Sequence, residues 1–391
     1  MVFFNKLFFN KHMKNIKKLI KFYLIIFITL SFTSLSSCSN CHKNSCFRVN
    51  NNTPAFALLA IKDGKVIFKD VHGCARFDNK TKKCTLKATK DTRFLINSMS
   101  KHFTVAGILM LEEEGKLSIN DNITKYLDLP KKFNNIKIRH LIYHTSGISS
   151  NIISKTFNTD KQNELYTQGQ TLGNDEYFEL IKNTNIHLEK YGIKYKYSNS
   201  GYILLAKIIE EVSKQKYEDF VQERIFNRFQ MNTAFLNASK DKQDNYVYGY
   251  SCWPLFVEQK GEFIDRNMGA GGMWMTLEDY IKWIDAFDNN KIFKRKETME
   301  KFLSKGKYDN GKKIMIKKDN NINYGFGMVH KKEKFNGKEY NILEHKGGFA
   351  GTSSQFIKII EPNTWIVYFN NSYDTYPDLL DLLSSIGSLA N

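Results

Sequence analysis

Ser98 and Lys101 stand three residues apart in "INSMSKHF", residues 96–103. A serine and a lysine at that spacing can act as nucleophile and base if a helix begins there and puts both on one face. The start of a helix lends positive potential to a developing alkoxide. A lysine drawn out of water sheds its charge and can then accept a proton. The competing reading is a serine that caps a helix with a solvated lysine behind it. Spacing alone does not choose, because Ser-x-x-Lys occurs four times: Ser98/Lys101, Ser213/Lys216, Ser239/Lys242 and Ser304/Lys307. Only Ser98 opens a long, strongly periodic helical stretch directly after an apolar segment, "RFLIN".

Two further groups could complete such a site. Tyr197-Ser198-Asn199 lies in a short stretch ahead of the helical run Tyr202–Ser213. A phenol beside a serine–lysine pair can relay a proton to a leaving group, and an Asn side chain can hold a substrate amide. Tyr-x-Asn recurs at 308 and 368, so the triplet is weak by itself. His345-Lys346-Gly347 is the only His-x-Gly in the chain; it ends a strand-like run and Gly348 follows it. Glycines there let a strand backbone approach a substrate closely enough for an N–H to face an oxyanion. His144 and Ser146 in "HTSGI" are neighbours in the chain, which seldom form a catalytic pair, and read as a structural loop.

The elements that must position these residues are partly legible. "AFALLAIKDGKVIFKDVHG" gives two apolar runs around Asp63-Gly64, a hairpin signal, and the first run suits a strand covered on both faces. From Ser98 onward Phe103, Ala106, Leu109 and Met110 fall on one helical stripe, with Gly115 as a stop. A second helix is expected over Leu277–Phe287. Strand character returns in "EYNILEHKG", "TSSQFIKII" and "TWIVYFNN", and a last apolar helix is expected over 377–389. The expected fold class is therefore α/β (α+β). An antiparallel sheet is built from both chain ends and flanked by helices, with an inserted, mainly helical lobe at roughly 120–320 and a site in the cleft between them.

The termini and composition narrow the setting. Six lysines without an acid lie in residues 1–37, followed by "FYLIIFITLSFTSL" and "LSSC". That is a basic segment, an apolar stretch too short to span a bilayer, and small residues before Cys38. It resembles a bacterial lipoprotein signal, which implies a signal peptide at 1–37, lipidation of Cys38, a tether at 38–52 and a catalytic domain at 53–391. Export to the periplasmic or extracellular side of the envelope, anchored in the membrane, would follow. The rest of the net +18 is spread over many lysines with no Arg-rich arm, so no nucleic-acid partner is expected. Cys41, Cys46, Cys74, Cys84 and Cys252 remain; 41/46 and 74/84 are near enough to pair, and no spacing suits a zinc site.

Taken in order, Ser-x-x-Lys, Tyr-x-Asn and His-x-Gly resemble the serine β-lactamase and penicillin-binding protein superfamily, in which Ser-x-x-Lys is a known signature. "LIYHTSGI", "GAGGMWMTLEDYIKW" and "YGFGM" are similar to that superfamily's landmarks between the motifs. Tyr-Ser-Asn with His-x-Gly is closest to its branch of class C β-lactamases, D-Ala-D-Ala carboxypeptidases, D-aminopeptidases and related esterases. The resemblance implies Ser98 as acylated nucleophile, with Lys101 and Tyr197 as acid/base groups whose order is open. It implies Asn199, His345, Lys346 and Gly347 as substrate-binding, His345 in the cationic position. The N–H groups of Ser98 and Gly348 would form the oxyanion hole, with no metal and no cofactor. The superfamily usually has Thr or Ser where Lys346 stands; either the ammonium replaces that hydroxyl or it points away. The expected activity is an acyl-enzyme hydrolase for peptidoglycan-type D-amino-acid peptides. Alternatives are a small-acyl esterase, a class C-like β-lactamase and an inactive envelope penicillin-binding protein.

Overall fold

All five strand-like runs belong to one sheet, and its strand order explains why they sit so far apart in the chain. The computed structural model describes residues 53–372, apart from 79, 150–172, 184–187, 189, 237–244, 252–256, 260–268, 318–320, 336 and 350. The described residues belong to one unit, Val49–Asp374. The signal, Cys38 and the tether, Cys41/Cys46, Cys252, Ser239/Lys242 and the helix expected over 377–389 lie outside the described residues.

Strands β1 (Phe56–Lys62) and β2 (Lys65–His72) form the first hairpin. Asp63 and Gly64 adopt φ of 49° and 74°, the left-handed pair a two-residue hairpin turn needs. Strands β9 (Met315–Lys317), β10 (Ile322–Tyr324), β11 (Val329–Phe335), β12 (Lys338–Phe349), β13 (Thr352–Ile359) and β14 (Thr364–Asn370) come from the other end. The order is β2-β1-β14-β13-β12-β11-β10-β9, and every pair is antiparallel. Strand β14 joins the two ends, with Phe56 opposite Asn370 and Lys62 opposite Thr364. The sheet built from both chain ends is thus present, and its central strands are buried on both faces.

The segment between β2 and β9 carries three short hairpin-like pairs and the helices. The pairs are β3 (Cys74–Phe77) with β4 (Cys84–Lys87), β5 (Phe94–Leu95) with β8 (Trp274–Met275), and β6 (Gly249–Ser251) with β7 (Val257–Gln259). Cys74 and Cys84 form a disulfide across the first pair, with Cα atoms 5.7 Å apart. The helices are α1 (Ser100–Glu113), α2 (Ile138–Ile142), α3 (Asn174–Asn183), α4 (Asn199–Ser213), α5 (Tyr217–Val221), α6 (Leu277–Asp288) and α7 (Lys296–Phe302).

Helix α1 differs from the one-sided stripe expected of it: every residue from Ser100 to Leu111 is buried, polar ones included. The reason is its place. His102 meets Phe356 on β13, Phe103 meets Trp283 on α6 and Phe226 after α5, and Gly107 touches Phe220 on α5. A helix with neighbours all round has no solvent face to mark in the sequence. Helix α6 also lies on the sheet, with Phe287 edge-on to Trp365 and Tyr280 edge-on to Phe369 of β14.

Candidate active site

The backbone entering α1 is held from both sides. Strand β5 pairs with β8, the Ile96 N–H donates to the Met273 carbonyl at 2.9 Å, and the Ser354 hydroxyl donates to the Ile96 carbonyl at 2.7 Å. Asn97 then takes φ of 49°, a left-handed conformation that Asn tolerates better than most residues, while its amide donates to Thr352 Oγ1 at 3.0 Å. Ser98 follows in a single tight turn, Asn97–Met99, before α1 proper. It makes no capping hydrogen bond; its hydroxyl is half-buried and faces Lys101 Nζ at 3.0 Å.

Lys101 is completely buried. Its Nζ lies 2.9 Å from Asn199 Oδ1 and 2.6 Å from the Ala270 carbonyl, in addition to Ser98. Burial drives its pKa well below the ordinary lysine range, which favours the neutral amine. A neutral amine has two N–H donors and one lone pair. Asn199 Oδ1 and the Ala270 carbonyl can only accept, so they take the two donors. In the neutral form the lone pair is then left for the Ser98 hydroxyl, whereas a charged Lys101 donates its third N–H to Ser98 Oγ.

Tyr197 and Asn199 arrive on the turn into α4. Ser198 between them is the helix cap, with Oγ accepting from the Gly201 N–H at 3.2 Å. That fixed cap sends its two neighbours into the cleft. Tyr197 shares a hydrogen bond with Ser98, its ring lies 4.9 Å from Lys101 Nζ, and burial raises the phenol above its usual pKa. The structure therefore brings Ser98, Lys101, Tyr197 and Asn199 together. Of the other Ser-x-x-Lys pairs, Ser213 Oγ accepts from the Gln215 N–H while Lys216 pairs with Asp175. Ser304 donates to the Lys301 carbonyl.

The opposite wall is the end of β12. Gly347 is needed for a close approach: a Cβ there would meet Ile96 O at 2.6 Å and Asn97 Cβ at 2.8 Å. Strand β11 pairs with β12 as far as Glu344, and beyond that the edge of β12 borders the cleft. Phe349 stands opposite Thr352 across a two-residue loop, which makes them the pair that exchange backbone hydrogen bonds. By alternation Gly348 turns its N–H the other way, toward the cleft. Gly348 and Phe349 line a small opening with Leu95, Asn97, Ser98, Asn199, Ala270, Gly271 and Gly272.

His345 holds the cationic residue's place beneath the cleft, where burial disfavours its own charge. It is buried, and burial together with nearby Lys101 lowers its pKa to about 3, so it is neutral. Its nitrogens face the Lys346 carbonyl at 2.7 Å and the Tyr324 hydroxyl at 3.3 Å, and it is not part of the cleft wall. Lys346 is exposed and stands opposite Gln355, on the other face of β12 from His345 and Gly347.

Several residues of the site carried no functional signal in the sequence. Asn97 owes its importance to a backbone angle, and Ala270 to a carbonyl in "GAGGMWM", a stretch marked only as a landmark. Leu95 and Phe349 are cleft wall. Ser146 Oγ accepts from the Ile148 N–H, while the His144 ring packs 4.2 Å from the Tyr197 ring.

The family described as Beta-lactamase matches residues 44–386. The chain belongs to the beta-lactamase family. It is 29% identical over 333 residues to penicillin-binding protein 4* of Bacillus subtilis, covering 80% of this chain and 67% of that protein. It is 31% identical over 237 residues to protein flp of Staphylococcus aureus, covering 59% of this chain and 45% of that one, so it spans less than half the length of flp. Among solved structures, the octameric penicillin-binding protein homologue from Pyrococcus abyssi superposes with a TM-score of 0.70 at 23% identity, over 86% of this chain and 74% of that one. A D-amino acid amidase from Ochrobactrum anthropi gives 0.67 at 19% identity, over 86% and 94%. These two structures share the family's fold, a large antiparallel sheet with flanking helices.

Proposed function

We propose that the chain is a serine hydrolase that forms an acyl-enzyme at Ser98 and acts on D-amino-acid peptides of the peptidoglycan type. The observation that carries this is the buried Lys101, whose pKa burial lowers well below the ordinary lysine range and whose Nζ stands 3.0 Å from the Ser98 hydroxyl. Lys101 takes the hydroxyl proton as Ser98 Oγ bonds to the substrate carbonyl carbon. The N–H groups of Ser98 and Gly348 hold the resulting oxyanion. Tyr197, whose raised pKa keeps it a phenol, passes a proton to the leaving group as the scissile bond breaks. The opposite shifts of Lys101 and Tyr197 support Lys101 as the first base. Water then attacks the acyl ester, releasing the acid and restoring Ser98. The D-peptide substrate class is supported by the likeness to penicillin-binding proteins and to a D-amino acid amidase.

A second reading, a small-acyl esterase, is favoured by Lys346: a residue turned to the other sheet face offers a substrate carboxylate no contact in the cleft. A fluorescent penicillin and a fluorophosphonate, each applied to wild type and Ser98→Ala, separate the readings. Ser98-dependent labelling by both supports the D-peptide enzyme, and fluorophosphonate labelling alone supports the esterase. No Ser98-dependent label from either overturns both and leaves a binding protein. We further propose export and lipidation at Cys38; incorporation of an alkynyl fatty acid that survives Cys38→Ala would contradict it.

A further inference from the structure

Beneath the cleft lie two histidines and a tyrosine that the proposed chemistry does not use. His144, Tyr324 and His345 are all buried. They come from the loop after α2, the end of β10 and the end of β12, so no sequence spacing relates them.

The Ser198 N–H points to His144 Nδ1 at 3.0 Å. His144 Nε2 is 3.1 Å from the Tyr324 hydroxyl. That hydroxyl is 3.3 Å from His345 Nε2, and His345 Nδ1 is 2.7 Å from the Lys346 carbonyl. Only the two ends are unambiguous: a backbone N–H must donate and a carbonyl must accept. They fix the tautomers of both rings when those are neutral. His144 accepts at Nδ1, so as a neutral ring it donates from Nε2 to Tyr324. His345 donates from Nδ1, so its Nε2 accepts, and Tyr324, whose hydroxyl also hydrogen-bonds Tyr202, can give its proton there. Tyr202, beside Tyr324, gives its own proton to the Ile142 carbonyl at 2.9 Å.

We propose that His144, Tyr324 and His345 form a one-directional chain of hydrogen bonds from the Ser198 N–H to the Lys346 carbonyl, and that they act as positioning residues. The chain ties the turn carrying Tyr197 and Asn199 to the strand edge carrying Gly348. It thereby sets the width of the cleft across which the acyl group is held. The inference rests on the serine-hydrolase reading for its purpose, and on geometry alone for its existence.

The groups facing these rings favour neutral imidazoles. Lys101 and His102 approach from α1; Tyr195, Tyr197 and Tyr202 surround His144; Tyr197 and Tyr324 flank His345. None of them is a carboxylate that would draw a proton to either ring. Burial and the Lys101 neighbour lower both histidines, His345 to about 3.

Nitrogen NMR of the full chain with 15N-labelled histidine tests the chain directly, with the two rings assigned by their loss in His144→Gln and His345→Gln. The expected result is His144 protonated only at Nε2 and His345 only at Nδ1, unchanged between about pH 5 and 8. The opposite tautomer at either ring, or a charged ring in that range, overturns the proposal. Tyr324→Phe keeps the ring and removes the middle link. It should lower the maximal rate of fluorophosphonate inactivation roughly 10- to 100-fold, as a small misplacement does, with probe affinity and melting temperature near wild type. An unchanged rate, or a loss of affinity and melting temperature together, overturns the positioning role. The NMR result does not depend on activity. The expected tautomers in a chain whose Ser98 fails to label would refute the hydrolase reading and the positioning role, and leave only the hydrogen-bond chain standing.

Discussion

The two walls of the cleft obey different constraints. On the helix side, Ser98, Lys101, Tyr197 and Asn199 make specific contacts, and the ionisation of Lys101 and Tyr197 is displaced by burial. On the strand side the contribution is mostly backbone: a glycine that allows close approach, an N–H turned to the cleft, and side chains that are either buried beneath it or carried away from it. Chemistry needs side-chain types, so the helix side tolerates little change. Recognition from a strand edge needs shape, so Lys346 can replace the superfamily's usual hydroxyl without disturbing the reacting groups.

That contrast ranks the expected effects of substitution. Ser98→Ala should abolish covalent labelling by fluorophosphonate; a residual adduct in intact-protein mass would place the nucleophile elsewhere. Lys101→Met should reduce the labelling rate by about 10³-fold or more, since it removes the base while keeping the volume. It should also flatten a stability trend. In wild type the unfolded chain holds the Lys101 proton and the folded one does not, over the interval between its lowered and its ordinary pKa. Stability should rise with pH there by roughly 1.4 kcal/mol per pH unit. Chemical denaturation at several pH values would show whether the variant loses that slope. Tyr197→Phe should cost about 10²-fold in turnover on a substrate with a poor leaving group, and less on a nitrophenyl ester that leaves without a proton.

The strand side should respond differently. Gly347→Ala pushes β12 off Ile96 and Asn97, and a loss of roughly 10- to 100-fold in labelling rate is expected from the misplacement, with the base and nucleophile intact. Lys346→Thr should change labelling by less than about fivefold, the scale of a single exposed charge. A larger change would mean that the ammonium reaches the cleft and that the two walls are not as distinct as their geometry makes them.

The same contrast explains what could be read from the sequence. The sheet from both chain ends was legible because β1, β13 and β14 carry apolar runs, and Asp63-Gly64 marks its own turn. Ser98, Lys101, Tyr197 and Asn199 were legible because their chemistry follows from residue type and order. His345 stands beneath the cleft as expected, but its charge depends on burial, and no spacing encodes that. Asn97, Ala270 and the His144–Tyr324–His345 contacts were invisible for a related reason. They arise from a backbone angle, a carbonyl oxygen, and encounters between segments as much as 180 positions apart. The single stripe expected of α1 failed because a helix enclosed on every side has no polar face.

The central claim is that Ser98 is activated by an uncharged lysine, and the pH dependence of its acylation in wild type tests this most directly. With Lys101 neutral at rest, the rate of fluorophosphonate labelling should be level through the neutral range and fall only on the acid side. A rate that keeps climbing toward the ordinary lysine pKa of about 10.4 would mean that Lys101 holds its proton in the folded protein, and would contradict the account.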